Sequence, residues 1–415
     1  MSISKSLLII FMTGFFFFSV KAQNKTSTEY GLPFLQNYAP RDYQAGYQNY
    51  AVTQDKRGIM YFGNEVGVLV FDGVHWQIIH LSNQSQVKAL KVDQKGRIYV
   101  GGVDDLGYLK ANQRGILEYV SLLSKIPSQY RDFGEVLSIF TTEKGIFYVT
   151  NKTIFQLSNE KIQPLKIKQK AYWAGFQIKD KLLIQVANKG VYFLNPATLQ
   201  LENITAQQIP INEPLAAILP HQSNQFLLIS KGARFFTLSE QQLTPWEGLQ
   251  TDLLQNQPIN FATQLPNKQY AIGSLQIGLV IINQAGELIK HFDKNTGLPS
   301  NSILTIFNDQ ENNLWVGSNR GITYLAIGAP YALIDERSGL QGQINRIIFS
   351  NQSLYIATSL NVYRKKWQRN EPFQPVKFTA GNNQSLFLLE NTLLVGNPKL
   401  DFGLLNYRTL RGNSS

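Results

Sequence analysis

An all-β fold of repeated four-stranded sheets is what this 415-residue sequence predicts, on three observations. The segment Asn301–Leu325 (NSILTIFNDQENNLWVGSNRGITYL) recurs in weaker copies about every 42 residues. Each copy alternates short runs of Ile, Val, Tyr, Phe and Trp with turns rich in Gly, Asn and Asp. No stretch of the mature chain carries a convincing amphipathic helical period. A unit of this length has apolar faces it cannot cover alone, so its repetition implies stacked or radially arranged sheets. Four short strands with their turns fill such a period, and the expected architecture is a β-propeller of four-stranded blades.

The units follow in order. In the first, Gln48 to Val52 reads as a strand, Asp55-Lys56-Arg57-Gly58 as a turn, Met60 to Gly63 and Gly67 to Phe71 as further strands. In the second, the same parts are Val87 to Leu90, Asp93 to Gly96, Ile98 to Gly101 and Gly107 to Leu109. The turn glycine (Gly58 to Gly96) and the post-strand glycine (Gly63 to Gly101) both recur after 38 residues, and the step from Gly273 to Gly317 is 44. Later units begin near Gly134, Ala171, Pro214, Ile259, Asn301, Gln343 and Asn382. Asp at the first and Gly at the fourth turn position suits a type I turn between antiparallel strands. Tyr61, Tyr99, Tyr148 and Trp315 share one repeat position, which marks them as blade packing. Units one to seven, residues 48–340, form one seven-bladed ring in this reading. Residues 341–415 are the start of a second ring, cut short, and residues 23–47 are a lead segment.

Residues 1–22 read as a secretory signal: Lys5 is the positive start, Leu7 to Val20 the apolar core, and Val20-Lys21-Ala22 the cleavage pattern. An uncleaved anchor is the alternative, although the core is short for a span. The sequence has no cysteine, which excludes disulfides and thiolate metal sites. An exported chain of roughly 390 mature residues must then rely on its apolar core. The net charge of +11 becomes +9 without Lys5 and Lys21. Export argues against nucleic acid as the partner of that charge, and acidic glycans or an anionic membrane surface fit better; an ordinary solvated basic surface is the plainer reading ahead of either. Asn-x-Ser/Thr triplets at Asn24, Asn83, Asn151, Asn203, Asn351, Asn383 and Asn413 are what an Asn-rich chain produces by chance.

The segment Asn301–Leu325 resembles the two-component-regulator propeller repeat, and Tyr43–Trp76, Gly101–Leu109 and Tyr119–Leu122 resemble sensor proteins of that type from the Bacteroidetes. Asn312, Ser318 and Ile322 depart modestly from the pattern, and the likeness is weak from Leu165 to Pro258. The resemblance implies the N-terminal periplasmic ligand-sensing region of a triple-tyrosine-type regulator. Such a parent is anchored in the inner membrane and dimerises through downstream modules. Its output domain, a histidine kinase or another effector, lies outside this chain. In that light the chain reads as a fragment of a longer sensor or as a truncated gene.

Several motifs have plainer explanations. Gly63-x3-Gly67, Gly273-x4-Gly278 and Gly317-x3-Gly321 lack a following helix for phosphate binding and read as hairpin glycines. Asp309 to Asn313 lacks the glycine of a calcium hand, and Trp315 lies one residue too far for a sialidase aspartate box. His75, His80, His221 and His291 have no metal-ligand spacing. Asp104-Asp105 is a loop pair rather than two cooperating catalytic carboxylates. No catalytic residue, metal site or cofactor is expected. Aromatics and bases outside the repeat pattern are the ligand-binding candidates: Arg41, Tyr43, Tyr47, Tyr130, Arg131, Tyr172, Trp173 and Arg234. A sugar stacked on Tyr or Trp, with Arg holding an acidic group, is the recognition scheme they suggest, and a small oligosaccharide the ligand. Two other readings remain open: a secreted propeller lyase or hydrolase acting on polysaccharide, and a protein-interaction platform.

Overall fold

Strand-forming runs separated by tight turns give up-and-down sheets, and the first seven follow one another around an axis. The computed structural model describes residues 33–410 apart from 168–170, 179–180, 205–212, 223, 240–241, 330–332, 335, 368–371, 378, 390–391 and 399–405. The signal segment 1–22 lies outside the described residues. Blade one is Asn49–Gln54, Met60–Asn64, Gly67–Phe71 and Trp76–Ile79, paired antiparallel in chain order. Five further sheets repeat that order, with first strands Ala89–Val92, Val136–Thr142, Tyr172–Ile178, Leu215–Pro220 and Ile259–Gln264. The seventh contains Ile303–Asn308, Leu314–Ser318 and Gly321–Leu325. The first strand of each sheet adjoins that of the next, and Ile303–Asn308 returns to Asn49–Gln54. These first strands are therefore the inner strands of a propeller.

The fourth strand of the seventh sheet comes from the other end of the chain. Leu35–Tyr38 pairs antiparallel with Gly321–Leu325, Leu35 opposite Leu325 and Tyr38 opposite Ile322. The sequence reading left this stretch in a lead segment outside the repeats; the structure makes it the clasp of the ring. Thr323 Oγ1 donates to Asn37 Oδ1 at 2.7 Å, and Asn37 Nδ2 donates to the Gly297 carbonyl at 2.8 Å. The Tyr38 ring stacks on Trp315 at 5.9 Å and meets Trp76 edge-on at 5.3 Å, which joins blades seven and one through an aromatic cluster. Such closure covers strand edges that an open sheet would expose.

The recurring Asp turn is read directly in the hydrogen bonds. Asp55 Oδ1 accepts from the amides of Arg57 and Ile59, Asp93 Oδ1 from Lys95 and Arg97, and Asp309 Oδ1 from Glu311 and Asn313. The second carboxylate oxygen then takes the polar tip of the aromatic six residues on: Tyr61, Tyr99 or Trp315, at 3.3, 3.1 and 3.1 Å. The repeated Asp therefore both shapes the turn and satisfies the buried end of the packing aromatic. Asn312 stands where other copies have glycine and takes a φ of 64°, a left-handed value that Asn tolerates.

The glycine pairs do two jobs, which refines the hairpin expectation. Gly321, with a φ of 130°, is a hairpin glycine in the clasp. Gly317 is different: a Cβ there would lie 2.6 Å from the backbone oxygen of Asn49 on the next blade's inner strand. Gly63 stands in the same relation to the Val87 carbonyl at 2.7 Å. These glycines let one sheet lie close on the next. Beyond the ring, Ile344–Ser350, Ser353–Thr358, Val362–Lys366 and Gln374–Pro375 form an eighth sheet, and Ser385–Leu389, Thr392–Asn397 and Asn406–Leu410 a ninth.

Gly317→Ala should lower the unfolding midpoint by a few degrees, because the overpacking costs about 1–3 kcal/mol. Trp315→Phe keeps the ring but strands Asp309 Oδ2 in a buried site, a loss of similar size. Thermal melts of both variants beside the parent chain check the two contacts; an unchanged midpoint in either would remove its assigned role.

Candidate functional site

In up-and-down blades the turn between the second and third strands and the link to the next blade emerge on the same face. A belt of backbone bonds holds that face together. In blades one and three to seven the amide after the second strand donates to the residue just before the same blade's inner strand: Glu65 to Gln48, Asn151 to Glu135, Ala187 to Ala171, Lys231 to Pro214, Leu275 to Pro258 and Asn319 to Ser302. The next blade bonds back through Val87 to Asn64, Tyr172 to Asn151 and Ile259 to Lys231. Side chains projecting from this belt are held by backbone on two sides, which suits a binding surface.

A cleft of about 650 Å³ opens on this face above blade three. Its walls are the blade two-to-three link (Gln129, Tyr130, Asp132, Phe133), the Asn151–Thr153 turn, and the link to blade four (Leu165 to Ile167, Ala171, Tyr172). That volume suits a small ligand. Phe133 and Tyr172 are buried beneath it, whereas Tyr130 is exposed and offers its ring. Lys152 Nζ pairs with Asp132 Oδ1 at 2.7 Å at the solvent-exposed rim. Desolvation by burial pushes the Tyr172 phenol up to about 12.

A second cluster surrounds the axis of the ring. In blades one and three to seven the inner strand begins with a register shift that inserts one extra residue; Tyr50, Trp173 and Asn260 occupy that place in blades one, four and six. Extra residues reach toward the next blade: Asn260 Nδ2 donates to the Leu304 carbonyl at 2.8 Å, and the Tyr50 ring lies under Lys88 Nζ at 3.6 Å. Lys88 Nζ in turn is 3.4 Å from Glu135 Oε1. Lys231, on the blade five turn, is coupled to the same carboxylate: partial desolvation lowers its ammonium pKa and Glu135 opposes that shift. Cleft and cluster are linked through Asn151, whose Oδ1 accepts the Glu135 amide at 2.7 Å.

All eight candidate residues fall on this face, but they do not converge. Tyr130 and Tyr172 meet in the cleft, Tyr172 as floor. Arg131 folds back on its own link, donating from Nε to the Ile126 carbonyl at 2.8 Å and from Nη2 to Ser124 at 3.2 Å. Tyr43 ends the single-turn helix Pro40–Tyr43, 3% exposed in the clasp cluster, with its hydroxyl donating to the Gly46 carbonyl. Arg41 is exposed beside Asp42, and Tyr47 is exposed near Glu65. Trp173 is half-buried in the blade four bulge. Arg234 Nε pairs with Glu213 Oε1 at 2.6 Å.

Sequence reasoning missed Tyr50, Lys88, Glu135 and Lys231. Lys88 lies 38 residues after Tyr50, the step of the repeat itself, so alignment of the units could have found that pair. Of the acid pair, Asp104 Oδ1 accepts the Gly134 amide, while the fully buried Asp105 takes the hydroxyls of Tyr119 and Ser121 at 2.9 and 2.7 Å. The four histidines sit apart: His75 beside Asp72, His80 and His291 on the carbonyls of Val66 and Ile277, and His221 on the Tyr270 hydroxyl. Among the described residues no group of three or more His, Asp or Glu could hold a metal ion, and no helix is long and apolar enough to cross a membrane.

The fold and its belt define a β-propeller with a ligand-sized cleft on one face. Within it, residues 297–320 match the family described as "Two component regulator propeller". No curated protein matches the chain by sequence. Among solved structures, the chain is similar to the extracellular domain of a B. thetaiotaomicron protein described as a hybrid two-component system (BT3049), with 18% identity and a TM-score of 0.64 over 88% of this chain and 52% of that one. A second such domain, from the B. thetaiotaomicron protein BT4673, gives 16% identity and a TM-score of 0.55 over 88% and 51%. The chain thus spans about half the length of these domains. A virginiamycin B lyase from Staphylococcus aureus shares 13% identity, with a TM-score of 0.55 over 72% of this chain and 99% of that one. At these identities the likeness is one of fold.

Four tyrosines, Tyr43, Tyr61, Tyr99 and Tyr172, are pushed up to about 12, desolvation being the largest cause for each. The unfolded chain releases these phenolic protons near 10, so their contribution to stability is whole below about pH 10 and is lost as pH rises toward 12. Melting midpoints measured across that window should fall steeply, while an ultraviolet titration of the folded chain shows these four ionising late.

Proposed function

We propose that this chain is the ligand-sensing propeller region of an exported transmembrane signalling protein of the two-component-regulator kind. Its ligand is glycan-derived, bound in the cleft above blade three. The observation that carries this reading is the cleft itself: an exposed Tyr130 ring beside the Asp132–Lys152 pair offers a stacking face and hydrogen-bonding groups to a sugar. The match at residues 297–320 and the shared fold with extracellular domains of signalling proteins support the sensor class. Periplasmic location, an inner-membrane anchor and a homodimer formed through modules outside this chain belong to the same proposal. Binding changes the output only if the ligand prefers one of two states of the receptor.

In this reading residues 48–340 with the clasp make one seven-bladed ring, and 341–415 open a second. Ile347 supports it: it occupies the inner-strand position of Ile306 in blade seven, yet is 55% exposed where Ile306 is 3% exposed. Phe349 and Phe387 are likewise exposed, as faces awaiting a neighbouring blade would be. An enzyme reading has one observation in its favour, the fold shared with virginiamycin B lyase. Each histidine is engaged by a neighbouring group, His221 across the seam of blades five and six, and none lines the cleft, so the sensor reading stands ahead.

The test is calorimetry of the mature chain against a panel of oligosaccharides, followed by Tyr130→Ala and Lys152→Ala on any binder. Tyr130→Ala should weaken binding about tenfold, since stacking and burial of one aromatic are worth that much. Turnover of a saccharide would favour the enzyme, and unaltered affinity in both variants would move the site out of the cleft.

A further inference from the structure

The charged cluster at the ring axis is unlike the other polar groups of this face. It joins side chains from three blades that lie far apart in sequence: Lys88, Glu135 and Lys231. Lys88 contacts the Glu135 carboxylate directly, and Lys231 lies within the field of the same charge. The Lys88–Glu135 contact of 3.4 Å is longer than a tight charge-assisted bond of about 2.8 Å, so Glu135 holds Lys88 loosely. Lys88 is also kept in place independently of Glu135 by the Tyr50 ring, 3.6 Å below its ammonium. The tie of Glu135 to the belt is made by its backbone: its amide donates to Asn151 Oδ1, and its carbonyl accepts the Asn151 amide. Its carboxylate can therefore leave without dismantling the belt. The same bonds put the cluster one residue away from the cleft, since Asn151 lines the cleft wall.

The geometry points to an anion subsite at the axis: a carboxylate or sulfate of an acidic saccharide displaces the Glu135 side chain and takes its place against Lys88, held over the Tyr50 ring, with Lys231 adding its charge, while the rest of the ligand lies in the cleft. The inference rests on the glycan reading above and deepens it by naming the charge of the ligand. Glu135 acts as a built-in competitor that keeps the lysines compensated when the site is empty. Neutral saccharides cannot repay the loss of Glu135 from its lysines and occupy the cleft alone. Exchange at the axis also offers a route for the signal, because the Lys88–Glu135 pair joins blades two and three.

The experiment is calorimetry at low salt on the mature chain with three probes of one backbone: a uronate trisaccharide, its sulfated counterpart and the neutral trisaccharide. The expected result is acidic binding about tenfold tighter than neutral, an advantage that shrinks as salt is added. Glu135→Gln should tighten the acidic probes several-fold and leave the neutral one unchanged, while Lys88→Gln or Lys231→Gln should abolish the preference. Whichever acidic probe binds tighter names the anion. Equal affinity for neutral and acidic probes, or an E135Q variant with unaltered acidic binding, overturns the subsite while leaving the glycan reading intact. If no saccharide binds, inorganic sulfate titrated into E135Q separates the two ideas. Shifts confined to the Lys88 and Lys231 ammonium resonances would keep the anion subsite and remove the glycan reading, and their absence would remove both.

Discussion

A four-residue antiparallel ladder between Leu35–Tyr38 and Gly321–Leu325 is the contact on which the ring depends. Each blade is a local up-and-down sheet that could form from its own stretch of chain. Seven of them in sequence would still leave an outer edge of blade seven unpaired and no covalent tie between last and first. The clasp supplies both at once, because one short strand completes the last sheet and then runs through Pro40–Tyr43 into the first. The aromatic cluster of Tyr38, Phe71, Trp76 and Trp315 adds a packed seam where the chain ends meet. A bond across that seam, Gln310 Nε2 to the Asp55 carbonyl at 2.8 Å, ties the turns of blades seven and one on the opposite face.

Closure sets the distance between sheets, and that distance explains the repeated glycines. Side chains on a second strand normally stand between sheets, but at Gly63 and Gly317 the neighbouring backbone occupies the place of a Cβ. The close approach brings backbone groups of adjacent blades within bonding range and makes the belt possible. On that scaffold the belt residues are fixed while their side chains are free to vary, so one face of a repetitive structure can carry a non-repetitive site. Asn151 shows the economy of the arrangement: its backbone bonds to blades three and four, its side chain holds Glu135, and its surface lines the cleft.

Parts of this were legible in the sequence because they rest on short-range chemistry. Asp55, Asp93 and Asp309 were readable as turn residues, and the structure adds only that their second oxygen receives the aromatic six positions on. The unit boundaries were readable because turn glycines and strand runs recur at a steady step. The candidate site was less legible. Residues were selected for being aromatic or basic outside the repeat, a rule that brings Tyr130 and Tyr172 to the cleft. The same rule also selects Tyr43, which packs the clasp, and Arg131, which braces its own loop. It overlooked Lys88 and Glu135, which meet only across blades.

By itself, then, the sequence determined the blade: four strands, an Asp turn and a packing aromatic, since these follow from two-residue alternation and local turn geometry. Tertiary structure alone decided that Leu35–Tyr38 would close the ring, that Gly317 serves close approach where Gly321 serves a hairpin, and that Lys88 would meet the Glu135 carboxylate over the Tyr50 ring. The reason is physical. Turn and strand preferences act over a few residues, whereas closure and convergence bring together groups hundreds of positions apart, whose meeting no local pattern encodes.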